Sequence, residues 1–190
     1  MTTEELATKI VAILTEQRLT LALAESLTGG MLCASLVAVP GASEVLNGSV
    51  VAYNTAIKHQ VLGVDASLLA IHGTVYPDVA AHMAMGARDV LGVGEQQAYF
   101  GLATTGVAGP GPHEGKEPGT VFIGLAATGF VETRDFQFAG DRHEIREQAV
   151  HAALQCLYDY LTVRGGGAAV VSLLRPARVG RGIVSPPQKW

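Results

Sequence analysis

This chain has little cysteine, little charge and no long apolar run, and each shortage removes a class of protein. Two cysteines in 190 residues, Cys33 and Cys156, cannot make a disulfide scaffold. Both fall in helix-like segments among apolar neighbours, which reads as two buried, reduced thiols in a cytoplasmic protein. Charged residues make up 16% and the net charge is −4, without the clustered basic face that nucleic acid requires. No apolar stretch reaches the roughly 18 residues that cross a bilayer. The N-terminus, Met1-Thr2-Thr3-Glu4-Glu5, is acidic where a secretory signal is basic and then apolar. Neither a nucleic-acid partner nor a membrane is therefore expected.

Common catalytic signatures are missing as well. There is no G-x-S-x-G elbow, no Ser-x-x-Lys and no G-x-G-x-x-G. Gly115-Lys116 is followed by Glu117, so it is not a phosphate loop. His143-Glu144 begins like a zinc-protease helix, but residue 147 is Glu rather than His. The histidines at 59, 72, 82, 113, 143 and 151 have no metal-ligand spacing, so no metal site is expected.

What the chain does have is apolar bulk in alternating segments. Hydrophobic residues make up 48%, enough for one well-filled domain at this length. Leu6, Ile10, Ile13 and Leu14 repeat at helical spacing over 3–17, opened by a Thr2/Glu5 capping box. A strand at 20–24, a polar turn at 25–30 and a helix from Met31 to Val39 follow. A strand at 45–53 leads to a short helix at 55–62. Asp65 opens another that ends at Gly73, and Asp78 caps a longer one from Val79 to Leu91. An apolar strand at 97–104 precedes a Gly/Pro loop. Strands at 119–127 and 130–138 read as a hairpin. Asp141 and Glu144 form a second capping box, opening a helix striped by Ile145, Ala149, Ala152, Ala153, Cys156, Leu157, Tyr160 and Leu161. These elements predict an α/β fold, a three-layer α/β/α sandwich with a mixed, mostly parallel sheet of about five strands. The domain is expected over 1–164, with 165–190 as an appended, mobile Gly/Pro/Arg-containing tail.

The organising stretch is Ala24-Glu25-Ser26-Leu27-Thr28-Gly29-Gly30, a strand end, a tight turn and a helix start. Its glycines let the backbone approach a ligand, and a helix N-terminus favours an anion or a developing oxyanion. On local sequence alone, Ser26 or Thr28 serves equally as a helix cap. Ligands of open α/β sheets bind beyond the carboxyl ends of strands, where Ser26, Tyr53, Lys58 and Thr105 all fall. A lysine drawn into such a crevice loses its charge more readily, and a neutral amine can take a proton from a serine hydroxyl. Taken singly, Lys58 also fits a solvated helix lysine, and Tyr53 an amphipathic strand-end aromatic. Thr105-Gly106-Val107-Ala108-Gly109-Pro110 suits a loop lying flat against a ligand.

Seven segments then occur together in order. They are Ala24-Glu25-Ser26-x-Thr28-Gly29-Gly30, Pro40-Gly41-Ala42-Ser43, Tyr53-(x)4-Lys58, Leu62-Gly63-Val64, Thr105 to Gly111, Pro118-Gly119-Thr120-Val121 and Gly140-Asp141-Arg142. From about residue 4 to 162 the chain resembles the C-terminal domain of competence/damage-inducible CinA proteins. That domain also exists alone as a bacterial nicotinamide-nucleotide amidohydrolase. The N-terminal domain of full CinA proteins has no counterpart here, so the stand-alone form is expected. The resemblance implies hydrolysis of the carboxamide of nicotinamide mononucleotide, without metal or cofactor, in pyridine-nucleotide salvage. Carried over by position, Ser26 is the nucleophile and Lys58 its base, with Tyr53 and Thr105 orienting the pair or the substrate. Thr28, Gly29, Gly30, Gly106, Ala108 and Gly109 would face the substrate, and Arg142 its phosphate, with a solvated first-turn arginine as the alternative. Self-association to a homo-oligomer is also implied.

Two departures stand out. Leu27 replaces the family's usual cysteine at a position expected to point into packing. Tyr76 follows Gly73-Thr74-Val75 where the family usually has serine. A ring there could block the nucleotide, reshape specificity or stack on the pyridine, and an idle paralogue that binds a nucleotide or a partner protein is the alternative function.

Overall fold

The computed structural model describes residues 1–164. The segment read as a tail, 165–190, lies outside the described residues. The elements run α1 (Thr3–Gln17), β1 (Leu21–Glu25), α2 (Met31–Val37), a 3₁₀ turn (Ala42–Glu44), β2 (Leu46–Val51), α3 (Thr55–Gln60) and α4 (Ala66–His72). They continue with α5 (Pro77–Val90), β3 (Phe100–Gly106), β4 (Thr120–Ala127), β5 (Phe130–Gln137) and α6 (Arg142–Arg164). Both capping boxes form. Thr2 Oγ1 accepts from the Glu5 amide at 3.1 Å and Glu5 Oε2 from the Thr2 amide at 2.8 Å. Asp141 Oδ1 and Glu144 Oε2 exchange the same pair of bonds at 2.9 and 2.7 Å.

The five strands form one mixed sheet in the order β2-β1-β3-β4-β5. β1 pairs parallel with β2 and β3, while β4 is antiparallel to both β3 and β5. Side chains alternate across a sheet, and here the alternation sorts them by size. Leu21, Leu23, Phe100, Leu102, Val121, Ile123 and Leu125 enter the core shared with α1, α2 and α6. Ala22, Ala24, Ala103 and Ala126 face the opposite core, against Val79, Met83, Ala84 and Ala87 of α5. The result is the expected three layers, with α5 lying close on its face. A Cβ at Gly101 would run into the Ala84 carbonyl oxygen, and one at Gly124 into that of Ala80. Gly101→Ala is therefore expected to cost about 1–3 kcal/mol, read as an earlier midpoint in urea unfolding.

Of the boundaries that differ from the sequence reading, two have a clear physical cause. Asp78 does not cap α5; the helix starts at Pro77 with Tyr76 as N-cap, since proline at the first position has no amide to leave unpaired. The strand expected at 97–104 begins at Phe100, because Ala98 is tied to the end of α5. Its amide donates to Arg88 O, and Arg88 Nε donates to Ala98 O, both at 3.0 Å. The strand then runs on through Thr105 and Gly106, which pair with Phe122 and Val121. No helix among the described residues is long and apolar enough to cross a membrane.

Candidate active site

The parallel strands β1, β2 and β3 end at one edge of the sheet. β1 connects to β2 through α2 on one face, and β2 connects to β3 through α5 on the other. The β1/β3 boundary is therefore the switch point at which open α/β sheets bind ligands. A cleft of about 590 Å³ opens there. Its walls are Ser26 and Leu27 after β1, Tyr53 to Lys58 after β2, Thr74, the loop from Gly106 to His113, and Arg142.

Ser26 and Lys58 meet at this cleft. Lys58 Nζ lies 3.0 Å from Ser26 Oγ and donates to the Ala52 carbonyl at 2.6 Å. Lys58 is only 1% exposed, although it sits on a helix of six residues. Asn54 Oδ1 caps that helix at the Ala56 amide, so the side chain four residues on turns back over the end of β2. Burial lowers the Lys58 pKa from 10.5 to about 8, against an opposing pull from the Glu114 carboxylate. In the neutral amine, one N–H stays on Ala52 and the lone pair can accept the Ser26 hydroxyl proton. That is the geometry of a nucleophile and its base.

The turn beside them is held by a residue the sequence reading passed over. Glu25 is fully buried, and its carboxylate accepts from Thr28 Oγ1, Ser49 Oγ and the amides of Gly30, Leu32 and Cys33. It therefore caps α2, a role that neither Ser26 nor Thr28 takes. The consequence corrects two expectations. The amides of Gly30, Leu32 and Cys33 are committed to Glu25, that of Met31 to Thr28 O and that of Gly29 to Ser26 O, so Gly29 and Gly30 do not offer donors to a ligand. Thr28 is fully buried, bonded to Glu25 and 2.8 Å from Thr104 Oγ1, and does not face the cleft. Gly29 and Gly30 shape the turn instead, with φ of 61° and 99°. From outside, Arg146 Nε and Nη2 donate to the carbonyls of Leu27 and Thr28, both at 2.9 Å. Glu25 stands within the quoted turn motif without a signal for its role, and Arg146 stands in no motif. Glu25→Ala would strand several buried donors and is expected to cost about 3 kcal/mol or more, measured by denaturant unfolding.

The remaining candidates divide. Tyr53 and Arg142 stand at the cleft mouth: Arg142 Nη2 donates to Tyr53 Oη at 2.9 Å and Nη1 to Gly109 O at 2.6 Å. Gly106, Ala108 and Gly109 line the wall. The amides of Leu27, Ala108 and Gly109, all cleft residues, donate to no acceptor among the described residues. Thr105 is fully buried inside β3 and reaches the site only indirectly, donating to Thr74 O at 2.7 Å. Leu27 is buried in the α1/α2/α6 core, as its position suggested. Tyr76 does not line the cleft; its ring stacks on His72 at 4.2 Å and packs against the α5 core. Among the described residues no three His, Cys, Asp or Glu side chains gather as a metal site would.

The sequence profile of the CinA C-terminal domain matches residues 3–161. A "CinA-like protein" of Frankia casuarinae is 48% identical over 145 residues, 76% of this chain and 32% of that protein. One from Anaeromyxobacter dehalogenans is 44% identical over 155 residues, 81% of this chain and 37% of that protein. The chain thus spans about a third of the length of these curated relatives. Among solved structures, a CinA superfamily protein from Enterobacter cloacae superposes with a TM-score of 0.80 at 33% identity, covering 85% of this chain and 93% of that one. A second, from Escherichia coli, gives 0.77 at 32% identity, covering 83% and 90%.

Proposed function

This chain belongs to the CinA C-terminal domain family, and from that premise we propose that it is an amidohydrolase working through Ser26 and Lys58. Its substrate is the carboxamide of nicotinamide mononucleotide, hydrolysed to nicotinate mononucleotide and ammonia in cytoplasmic pyridine-nucleotide salvage. The observation that carries this reading is the 3.0 Å approach of a fully buried lysine amine to a serine hydroxyl in an open cleft. Neutral Lys58 takes the Ser26 proton as Oγ attacks the carboxamide carbon. The carbonyl oxygen becomes an oxyanion within reach of cleft amides such as those of Leu27 and Ala108. Lys58 returns the proton to the departing nitrogen, the C–N bond breaks, and ammonia leaves an acyl ester on Ser26. Water, deprotonated by the same amine, then cleaves the ester to free the carboxylate and restore the hydroxyl. Arg142, at the mouth, suits the phosphate of the mononucleotide.

The test is ammonia release from nicotinamide mononucleotide, with nicotinamide and its riboside as comparators. Turnover of the mononucleotide supports the full reading. Turnover of another amide alone removes the substrate and keeps the Ser–Lys chemistry. No turnover of any amide removes the enzyme. Nothing in the cleft favours the idle-paralogue alternative, since the ring of Tyr76 lies elsewhere.

A further inference from the structure

The loop between β3 and β4 does not simply pass the cleft; its tip is tied to the wall opposite its own strand. His113 and Lys116 exchange backbone hydrogen bonds at 3.0 and 2.9 Å, making a two-residue hairpin. Its central residues, Glu114 and Gly115, have φ of 49° and 72°. This is the mirror-image turn that Asn-Gly and Asp-Gly serve best. A glutamate in the left-handed region costs about 1 kcal/mol or more, so something must hold it there.

The side chain does. Glu114 Oε2 accepts from the Thr74 amide at 2.5 Å and from Thr74 Oγ1 at 3.0 Å. Gly73 makes the approach possible: it has φ of 76°, and a Cβ there would fall onto the Glu114 carboxylate. Thr74 is held from its other side as well, because Thr105 Oγ1 donates to its carbonyl. One buried threonine on the cleft wall therefore links the end of β3 to the tip of the loop that leaves it. The loop so pinned carries Ala108 and Gly109, whose amides face no acceptor among the described residues.

We propose that Glu114 is a positioning residue for this site. Its carboxylate latches the β3–β4 loop onto Thr74, holding it against the Ser26–Lys58 cleft. What the latch serves rests on the amidase reading; the latch itself does not. Of the ionisable groups that share the cleft with Lys58, Tyr53 lies at the end of β2, Arg142 on α6 and His113 on the loop beside Glu114. His113 Nε2 lies 3.7 Å from Glu114 Oε1. The carboxylate acting on Nζ is that of Glu114, and it raises the lysine's proton affinity against the effect of burial.

Glu114→Gln and Glu114→Ala in the full chain separate charge from tether. The readouts are a carbon-13 NMR titration of Lys58, assigned with Lys58→Met, hydrogen exchange over residues 107–118, and steady-state kinetics. Glu114→Gln keeps an oxygen acceptor for Thr74, so the loop stays protected while the Lys58 midpoint moves to lower pH. Glu114→Ala moves the midpoint the same way, speeds exchange in the loop about tenfold or more, and raises KM more than it lowers kcat. Loop exchange in Glu114→Gln as fast as in Glu114→Ala overturns the proposal. So does loop exchange in Glu114→Ala equal to that of the parent. If the parent turns over no amide, the amidase reading falls, yet exchange in the loop still decides the latch.

Discussion

Ser26→Ala is expected to release ammonia from nicotinamide mononucleotide at least about 10⁴-fold more slowly than the parent, with its fold intact. The change removes a single oxygen. The hydrogen bond that oxygen makes is to Lys58 Nζ, whereas the Ser26 amide, bonded to Thr104 O at 2.9 Å, is untouched. Alanine therefore deletes the nucleophile without disturbing β1 or the turn that follows. A thermal unfolding midpoint close to the parent's, together with lost turnover, is the expected pair of results. Turnover undiminished in this variant means that Ser26 is not the nucleophile.

Lys58→Met has a larger range of consequences, and their signs oppose one another. The base is lost, so kcat/KM is expected to fall about 10²- to 10⁴-fold. The protein should nevertheless become more stable at neutral pH. Lys58 titrates at about 8 in the fold and at 10.5 as a free side chain. Between those values the unfolded chain holds a proton that the folded chain has released, so parent stability rises with pH through that window. Below about pH 8 the full penalty of burying the cation is present. Methionine takes the same buried position without it and leaves the Ala52 carbonyl without its partner, for a net gain on the order of 1–2 kcal/mol at pH 7. A residue whose removal stabilises the protein while silencing it is kept for chemistry. In the parent, kcat/KM should climb about tenfold per pH unit below 8 and level off above it. A profile flat from pH 6 to 9 would contradict an amine base.

The parts of this architecture written in local signals could be read from the sequence. Thr2–Glu5 and Asp141–Glu144 mark helix starts by residue type and spacing alone, and alternating apolar segments reveal the strands. Once β1, β2 and β3 are parallel, Ser26, Tyr53 and the loop after Gly106 must share an edge, and Lys58 follows one helical turn later. Residues that act across the fold leave no such trace. Glu25 reads as one more polar residue at a strand end, and only the folding of the turn, the start of α2 and β2 around it gathers its five donors. Arg146 sits on the polar side of α6 until that helix docks against the turn. Thr105 looks like the first residue of a loop but belongs to β3, where its side chain is enclosed. Glu114 and Thr74 lie forty residues apart and meet only because Gly73 has no side chain. Tyr76 illustrates the converse: sequence order suggested a pocket residue, but its place ahead of Pro77 turns the ring onto His72.

The most direct measurement is the mass of the protein quenched within its first turnover of nicotinamide mononucleotide. The Ser–Lys account predicts an acyl adduct on the peptide that holds Ser26, formed as ammonia appears and absent from Ser26→Ala. An adduct on any other residue, or ammonia released at the parent rate by Ser26→Ala, would contradict it.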